Sequence, residues 1–252
     1  MNRSVLCTLV GSALLGIGCV EDDISPSAPR PTGRYDEFQT EVPGLSGLCL
    51  NVAGDGLIAV SDKGYVYELD FDGTTRRVVY RSSLDFEAVA ADSEAGVYYI
   101  AEEGGNAVYR LSGDDLDRLD LVAAIDVPGG GVANKGLEGI CLCGESLLVA
   151  NQAQPTLVLR YSLLTGGIEE RIPIDFATFL SDICYDSAAD ALWILDSKQK
   201  RISVCTTKGV VQRTYAIDFV AKAEAMALDR KQGVVWLGCD ESGRLYRVRM
   251  TI

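Results

Sequence analysis

Five short stretches decide the fold: LSGLCLN from Leu45, FEAVAAD from Phe86, LEGICLC from Leu137, LSDICYD from Leu180 and AEAMALD from Ala223. Their second residues, Ser46, Glu87, Glu138, Ser181 and Glu224, recur at spacings of 41, 51, 43 and 43. Five residues after each comes a polar turn former, Asn51, Asp92, Asp186 or Asp229, except in the third repeat, which has Cys143. An apolar run follows every time: LIAV, VYYI, LLVA, LWIL or VVWL. Runs this short, rich in β-branched and aromatic residues and bounded by turns, are strands buried on both faces.

A more alternating stretch comes next in each repeat (YVYELD, AVYRLS, LVLRYS, RISVCT, RLYRVR), and in the first four a Gly turn leads to one more strand. Four short strands in roughly 40–50 residues make a β-propeller blade. The sequence therefore predicts an all-β fold, a five-bladed propeller of four-stranded antiparallel sheets. The last repeat ends after three strands, and Tyr35–Val42 is the segment available to complete it, which protects edges that an open ring would expose. A sixth blade would have to fit in residues 125–136, which is too short.

The order of the elements DFEAVAAD, NKGLEGI, LSDICYD and AEAMALD resembles the SdiA-regulated, YjiK-like family of bacterial envelope proteins. That family carries D-x-EGI, N-x-G-x-EG, D-LSG and AEGIA at successive blade starts. The resemblance spans residues 44–250 and departs where Ala88 and Ala225 replace the Gly after Glu, so that only Glu138-Gly139 keeps the pair. It implies a propeller near the esterase-like and phytase-like ones, and no settled activity.

Composition narrows the chemistry. The chain has 252 residues, 23 Lys and Arg against 36 Asp and Glu, and a net charge of −13. A phosphate-backbone surface needs clustered cations, so nucleic acid is excluded as a partner. There is no histidine, which removes His bases, His-activated nucleophiles and His metal ligands.

Residues 1–18 read as a lipoprotein signal peptide. One positive residue, Arg3, precedes the apolar stretch Val5–Ile17, and small residues lead to Cys19. The lipobox likeness implies acylation of Cys19; the alternative is an ordinary signal cut at another small residue. Val20 after the cysteine points to the outer membrane, and Glu21-Asp22-Asp23 resembles an acidic tag for surface export. Residues 19–34 form the lipidated cysteine and a Pro-rich tether, and residues 35–252 the propeller. The only membrane contact expected is through the lipid.

The first strand of a blade lines the propeller channel, so Ser46, Glu87, Glu138, Ser181 and Glu224 should form a ring. A second polar set ends each buried strand: Ser61-Asp62, Glu102-Glu103, Asn151-Gln152, Asp196-Ser197 and Asp240-Glu241, all expected on one rim. Oxygen donors without imidazole or thiolate suit Ca²⁺ or Mg²⁺, and Glu87, Glu138, Asn151, Asp196 and Glu224 are the candidate ligands for Ca²⁺. The competing role is structural, with these groups bonding free N–H groups of neighbouring blades. Gly129-Gly130-Gly131 beside Asn134 reads as a loop over the channel mouth. Cys49, Cys141, Cys143, Cys184, Cys205 and Cys239 fall on core strands and read as buried thiols, with disulfides the alternative.

The sequence favours a non-catalytic binding or scaffold module for a small molecule, glycan or protein, because it offers no nucleophile–base pair. The alternative is a divalent-cation-dependent hydrolase, lactonase- or esterase-like and less readily phytase-like because the rim offers few Lys or Arg for a polyphosphate, with its site in the channel. Metabolic labelling with a palmitate analogue tests the address: it should mark the wild type and not Cys19→Ala. Equal labelling of both refutes the lipid anchor.

Overall fold

The computed structural model describes residues 35–127 and 136–250. Cys19, the tether and the Gly129–Gly131 loop with Asn134 lie outside the described residues. Twenty strands and no helix make up the described part.

Blade one holds β2 (Leu45–Leu50), β3 (Leu57–Ser61), β4 (Tyr65–Leu69) and β5 (Thr75–Arg81). Blade two holds β6 (Phe86–Asp92), β7 (Val97–Glu102), β8 (Ala107–Ser112) and β9 (Arg118–Ala124). Blade three holds β10 (Leu137–Cys143), β11 (Ser146–Asn151), β12 (Leu157–Ser162) and β13 (Gly167–Pro173). Blade four holds β14 (Asp182–Asp186), β15 (Ala191–Asp196), β16 (Arg201–Thr206) and β17 (Val211–Ala216). Blade five is β18 (Ala223–Asp229), β19 (Val234–Cys239) and β20 (Arg244–Arg249), with β1 (Tyr35–Gln39) as its outer strand.

All pairings are antiparallel, and the five sheets form a five-bladed propeller. The inner strands β2, β6, β10, β14 and β18 touch one another in turn around the axis. The polar turn formers act locally. Asp92 accepts the N–H groups of Glu94 and Ala95, Asp186 those of Ala188 and Ala189, and Asp229 that of Gln232. Asn51 Oδ1 likewise takes Asp55 N at 3.0 Å.

The core is divided among the blade interfaces. Each of five buried clusters draws on two adjacent blades, as where Trp236 and Ala225 meet Leu45 and Tyr67 between the last blade and the first. Burial of such side chains supplies most of the stabilisation, roughly 1.5–3 kcal/mol for each large one.

Closure is a sheet pairing reinforced by side chains. β1 pairs with β20 from Tyr35↔Val248 to Gln39↔Arg244. Asp36 accepts Arg247 at 2.7 Å, and Tyr35 stacks on Phe219 with centroids 4.4 Å apart. Deleting residues 35–42 therefore exposes the β20 edge and uncovers Phe219 and Tyr246. We expect a melting temperature lower by 5 °C or more, on the scale of about 2–4 °C per kcal/mol for a domain of this size, and self-association through the bared edge. A monomeric deletion variant with unchanged melting refutes this mode of closure.

Candidate functional site: an acidic channel mouth

The ring residues owe their direction to a defect in the sheet. In β2, β6, β10 and β18 the pairing register slips at the second residue. Leu45 faces Ser61 and Gly47 faces Val60, leaving Ser46 unpaired, and Glu87, Glu138 and Glu224 stand in the same position. Such a bulge re-aims the extra side chain. Blade four does the equivalent, since Ser181 N bonds Leu195 O, the residue opposite Asp182.

Ser46, Glu87, Glu138 and Glu224 line one cavity of about 390 Å³ at the rim where the inner strands begin, called here the front. Asp62, Gln152, Ser197 and Asp240 join them, with Phe179, Lys198 and Lys222. Ser181 bonds Ser197 Oγ at 2.7 Å just beneath. Asp85, Glu87 and Glu103 bring carboxylate oxygens within 4.8 Å of one another.

The second polar set divides by position. The residue that ends the strand is a buried clamp on a front loop, and the next one lines the cavity as Asp62, Gln152 and Ser197, whereas Glu103 accepts Gly136 N at 3.1 Å. Ser61 Oγ bonds Pro43 O, and Glu102 accepts Gly105 N at 2.8 Å. Asn151 Nδ2 donates to Pro155 O at 2.6 Å, while Asp196 accepts Thr178 N and Gln199 N. In the fifth blade the clamp position is Cys239, opposite Ala223. Asp240 is thus the cavity residue, and Glu241 lies one place further on, exposed. Of the five candidate ligands, Glu87, Glu138 and Glu224 come together at the cavity. Asn151 and Asp196 are turned into their blades by backbone bonds and stand apart from it.

Carboxylates this close in a half-buried space repel. Burial, then the charges of Asp85 and Glu103, push the Glu87 pKa up to about 9. Burial and the charges of Glu87, Glu103 and Glu224 hold Glu138 well above the usual carboxylate range, and Gln152 Nε2 donates to its Oε1 at 2.5 Å. Glu224 is raised by burial, against the opposing pull of Lys222. That lysine bridges Glu224 at 2.9 Å and Asp240 at 2.6 Å; burial works against its charge, but the two carboxylate bonds prevail and raise its pKa. Among the described residues Glu87, Glu138 and Glu224 accept no backbone N–H, so the inter-blade bonding role is not how they are used.

Oxygen-only donors gathered from Asp85, Glu87 and Glu103, with Glu138 beside them, fit a hard divalent cation, which would lower the mutual repulsion. Asp85, Phe179, Lys198 and Lys222 were not singled out as site residues from the repeat. All four sit in connections outside the repeated strands, yet at repeated positions. Asp85, Phe179 and Lys222 each stand two residues before the ring residues Glu87, Ser181 and Glu224, and Lys198 two after Asp196, as Lys63 does after Ser61.

A family model described as Phytase-like, esterase-like activity of phytase, matches residues 40–219. The chain belongs to this family. The matched stretch holds β2 to β17, four of the five blades. The likeness read from the blade openings is met at this broader level, a propeller family near the phytase-like ones. Solved structures of similar fold include the glutaminyl cyclase of Myxococcus xanthus, 12% identical over 85% of this chain and 94% of that one, with a TM-score of 0.65. A gluconolactonase from Xanthomonas campestris is 13% identical over 88% and 94%, with a TM-score of 0.59. A streptogramin B lyase is 16% identical over 86% and 70%, with a TM-score of 0.52. At these identities the likeness is one of fold. None of the curated proteins matches the chain.

The raised Glu87 pKa makes a signed prediction. The folded state holds this proton more tightly than the unfolded chain, so stability is fullest below about pH 4.5 and is lost as pH rises through about 9. In EDTA the melting temperature should fall between pH 5 and pH 9, and Glu87→Gln should flatten that fall. A wild-type curve that is level or rises over this range overturns the assignment.

Proposed function

We propose that the front mouth is the site of a divalent-cation-dependent hydrolase acting on esters or lactones, in a protein anchored to the bacterial envelope through Cys19. The observation that carries this reading is the convergence of Asp85, Glu87 and Glu103 at the edge of the cavity that Glu87 and Glu138 line. Among the described residues only Glu103 of these four accepts a backbone N–H, that of Gly136 at 3.1 Å. Membership of a family described by esterase-like activity supports it. This reverses the order of the two readings that the sequence left open.

Asp85, Glu87 and Glu103 would hold the ion, with Glu138 within reach. A bound divalent ion polarises a carbonyl and lowers the pKa of water. Gln152 fixes the Glu138 carboxyl through Oε1. Lys222 spends two of its three N–H donors on Glu224 and Asp240 and has one left for a substrate oxygen. Its charge is already balanced twice over, so the mouth suits a neutral reacting group better than a polyphosphate.

Orientation follows from register. Tyr35 pairs with Val248, at the end of β20 away from Arg244 and the front. A tether entering at Tyr35 joins the propeller at the back rim, so an anchored molecule turns its acidic mouth away from the bilayer.

The test combines binding and turnover. Adding Ca²⁺ to EDTA-treated protein at a hundredfold excess over Kd stabilises by roughly 2.7 kcal/mol, about 5–10 °C in melting temperature. Hydrolysis of 4-nitrophenyl acetate or a sugar lactone should need the ion and fall at least a hundredfold in Glu87→Gln. Indifference to Ca²⁺, Mg²⁺ and EDTA, with no turnover, overturns the hydrolase. A non-catalytic binding module is then the reading that remains, favoured by the way Glu138 with Gln152, and Glu224 with Lys222 and Asp240, already satisfy one another.

A further inference from the structure

A second cavity, about 550 Å³, opens on the same front rim between blades three and four. It shares Phe179 and Lys198 with the acidic mouth, so the two spaces are continuous. Its floor is apolar, with Leu157 and Ala177 beneath the exposed rings of Pro155 and Pro173.

Its charge is opposite to that of the mouth. Arg171 and Lys198 line it, and neither makes an ion pair with a carboxylate among the described residues. Lys198 Nζ lies instead over the Phe179 ring, 3.9 Å from its centroid. Asp175 is the groove's one carboxylate, which leaves a net positive lining in a chain of net charge −13.

The walls are held in place. Asn151 pins Pro155, Asp196 pins Thr178, and Leu180 N bonds Gln152 O at 3.0 Å. On the facing side Ile174 N bonds Thr156 O at 3.1 Å, and Thr156 Oγ1 returns a bond to Ile174 O. The buried polar clamps therefore shape this groove in advance of any ligand, which lowers the ordering cost of binding.

We propose that the groove is a subsite for the non-reacting part of the substrate: a planar apolar group that carries an anionic substituent. The anion engages Arg171 and Lys198, and drawing Lys198 toward it frees the Phe179 face for the ring. The identity of the reacting bond, an ester or lactone in the adjoining mouth, rests on the function proposed above. The binding of an aromatic anion does not.

Calorimetric titration of the wild-type protein with benzoate, phenyl phosphate, benzyl alcohol and inorganic phosphate tests this, with EDTA present and absent. At least one aromatic anion should bind tenfold or more tightly than benzyl alcohol and than inorganic phosphate. Whether benzoate or phenyl phosphate binds better tells carboxylate from phosphate. Arg171→Gln, Lys198→Gln and Phe179→Leu should each weaken that binding by about three- to tenfold, the first two with melting unchanged because their side chains are exposed, the third with its half-buried volume largely kept. Glu87→Gln and EDTA should leave it intact. Failure of both aromatic anions to bind, or equal binding to the Arg171 and Lys198 variants, overturns the subsite. Inorganic phosphate binding as tightly as phenyl phosphate removes the aromatic part of the proposal. Aromatic-anion binding that follows these variants, in a protein that hydrolyses no ester, upholds the groove and overturns only the hydrolase.

Discussion

The close approach of the five inner strands around the axis is the constraint on which the rest depends. One position in each, just after the ring residue, faces the next blade: Gly47, Ala88, Gly139, Asp182 and Ala225. A Cβ added to Gly47 would meet the Ala88 backbone at 2.7 Å, and one on Gly139 would meet Ile183 N at 2.9 Å. Small residues let the strands pack this tightly, and the residue before them is displaced as a bulge with the channel as its outlet. The ring of polar groups is thus a consequence of how the core closes. Asp182 is the exception, and it compensates by bonding across the gap, accepting Met226 N from the next blade and its own Ile183 N, both at 2.7 Å. Burial still pushes its pKa well up despite those two bonds.

The same closure concentrates charge. Three of the five bulges carry glutamate, and loops add Asp62, Asp85, Glu103 and Asp240 around them. A fold built for stability alone gains nothing from this, because each proton held against an ordinary carboxylate pKa records a destabilising field. Five blade interfaces, each with its own buried cluster, can offset such a local cost. Lys222 relieves only one wall of the mouth, that of Glu224 and Asp240. Asp85, Glu87 and Glu103 make no ion pair among the described residues, and theirs is the side on which the proposed cation would sit.

The fold was legible because it is repeated. Apolar runs, turn formers and the missing twentieth strand each recur or fail to recur at countable intervals, and the order of strands within a blade tells which one is inner. The site was legible only in part. Glu87, Glu138 and Glu224 could be found because the bulge that aims them is itself a repeated device. Asn151 and Asp196 looked like ligands because they are polar, and strand alternation does not say where a strand stops. The hydrogen bond that ends the strand turns one of two consecutive residues inward and the next outward. The fifth blade shows how fine this is, with Cys239 taking the clamp position and Asp240 the cavity. Phe179 occupies the position of Asp85 and Lys222 in other blades, and Lys198 that of Lys63, but the residue type changes from blade to blade, so the repeat marks the positions without giving their chemistry.

The two ends of the channel differ in chemistry, and that difference gives the molecule a direction. Three residues past the ring, the inner strands carry Cys49, Ala90, Cys141, Cys184 and Ala227, which line a smaller cavity of about 230 Å³ at the back. All six cysteines of the described domain are free thiols. Burial, with the Asp182 charge adding to it, raises the pKa of Cys49; for Cys141 the next contributions after burial are Cys143 and then Asp182. Cys184 is raised in the same way, and its Sγ lies 3.2 Å from Met226 O in the next blade. A thiol that keeps its proton is a small packing group with little nucleophilic or metal-binding character. The back of the channel is therefore lined by compact, inert side chains, whereas the front gathers the groups whose protonation can change. Both the carboxylate mouth and its positively lined groove open there, on the loops that the buried clamps hold in place, so charge, shape and access coincide on that face.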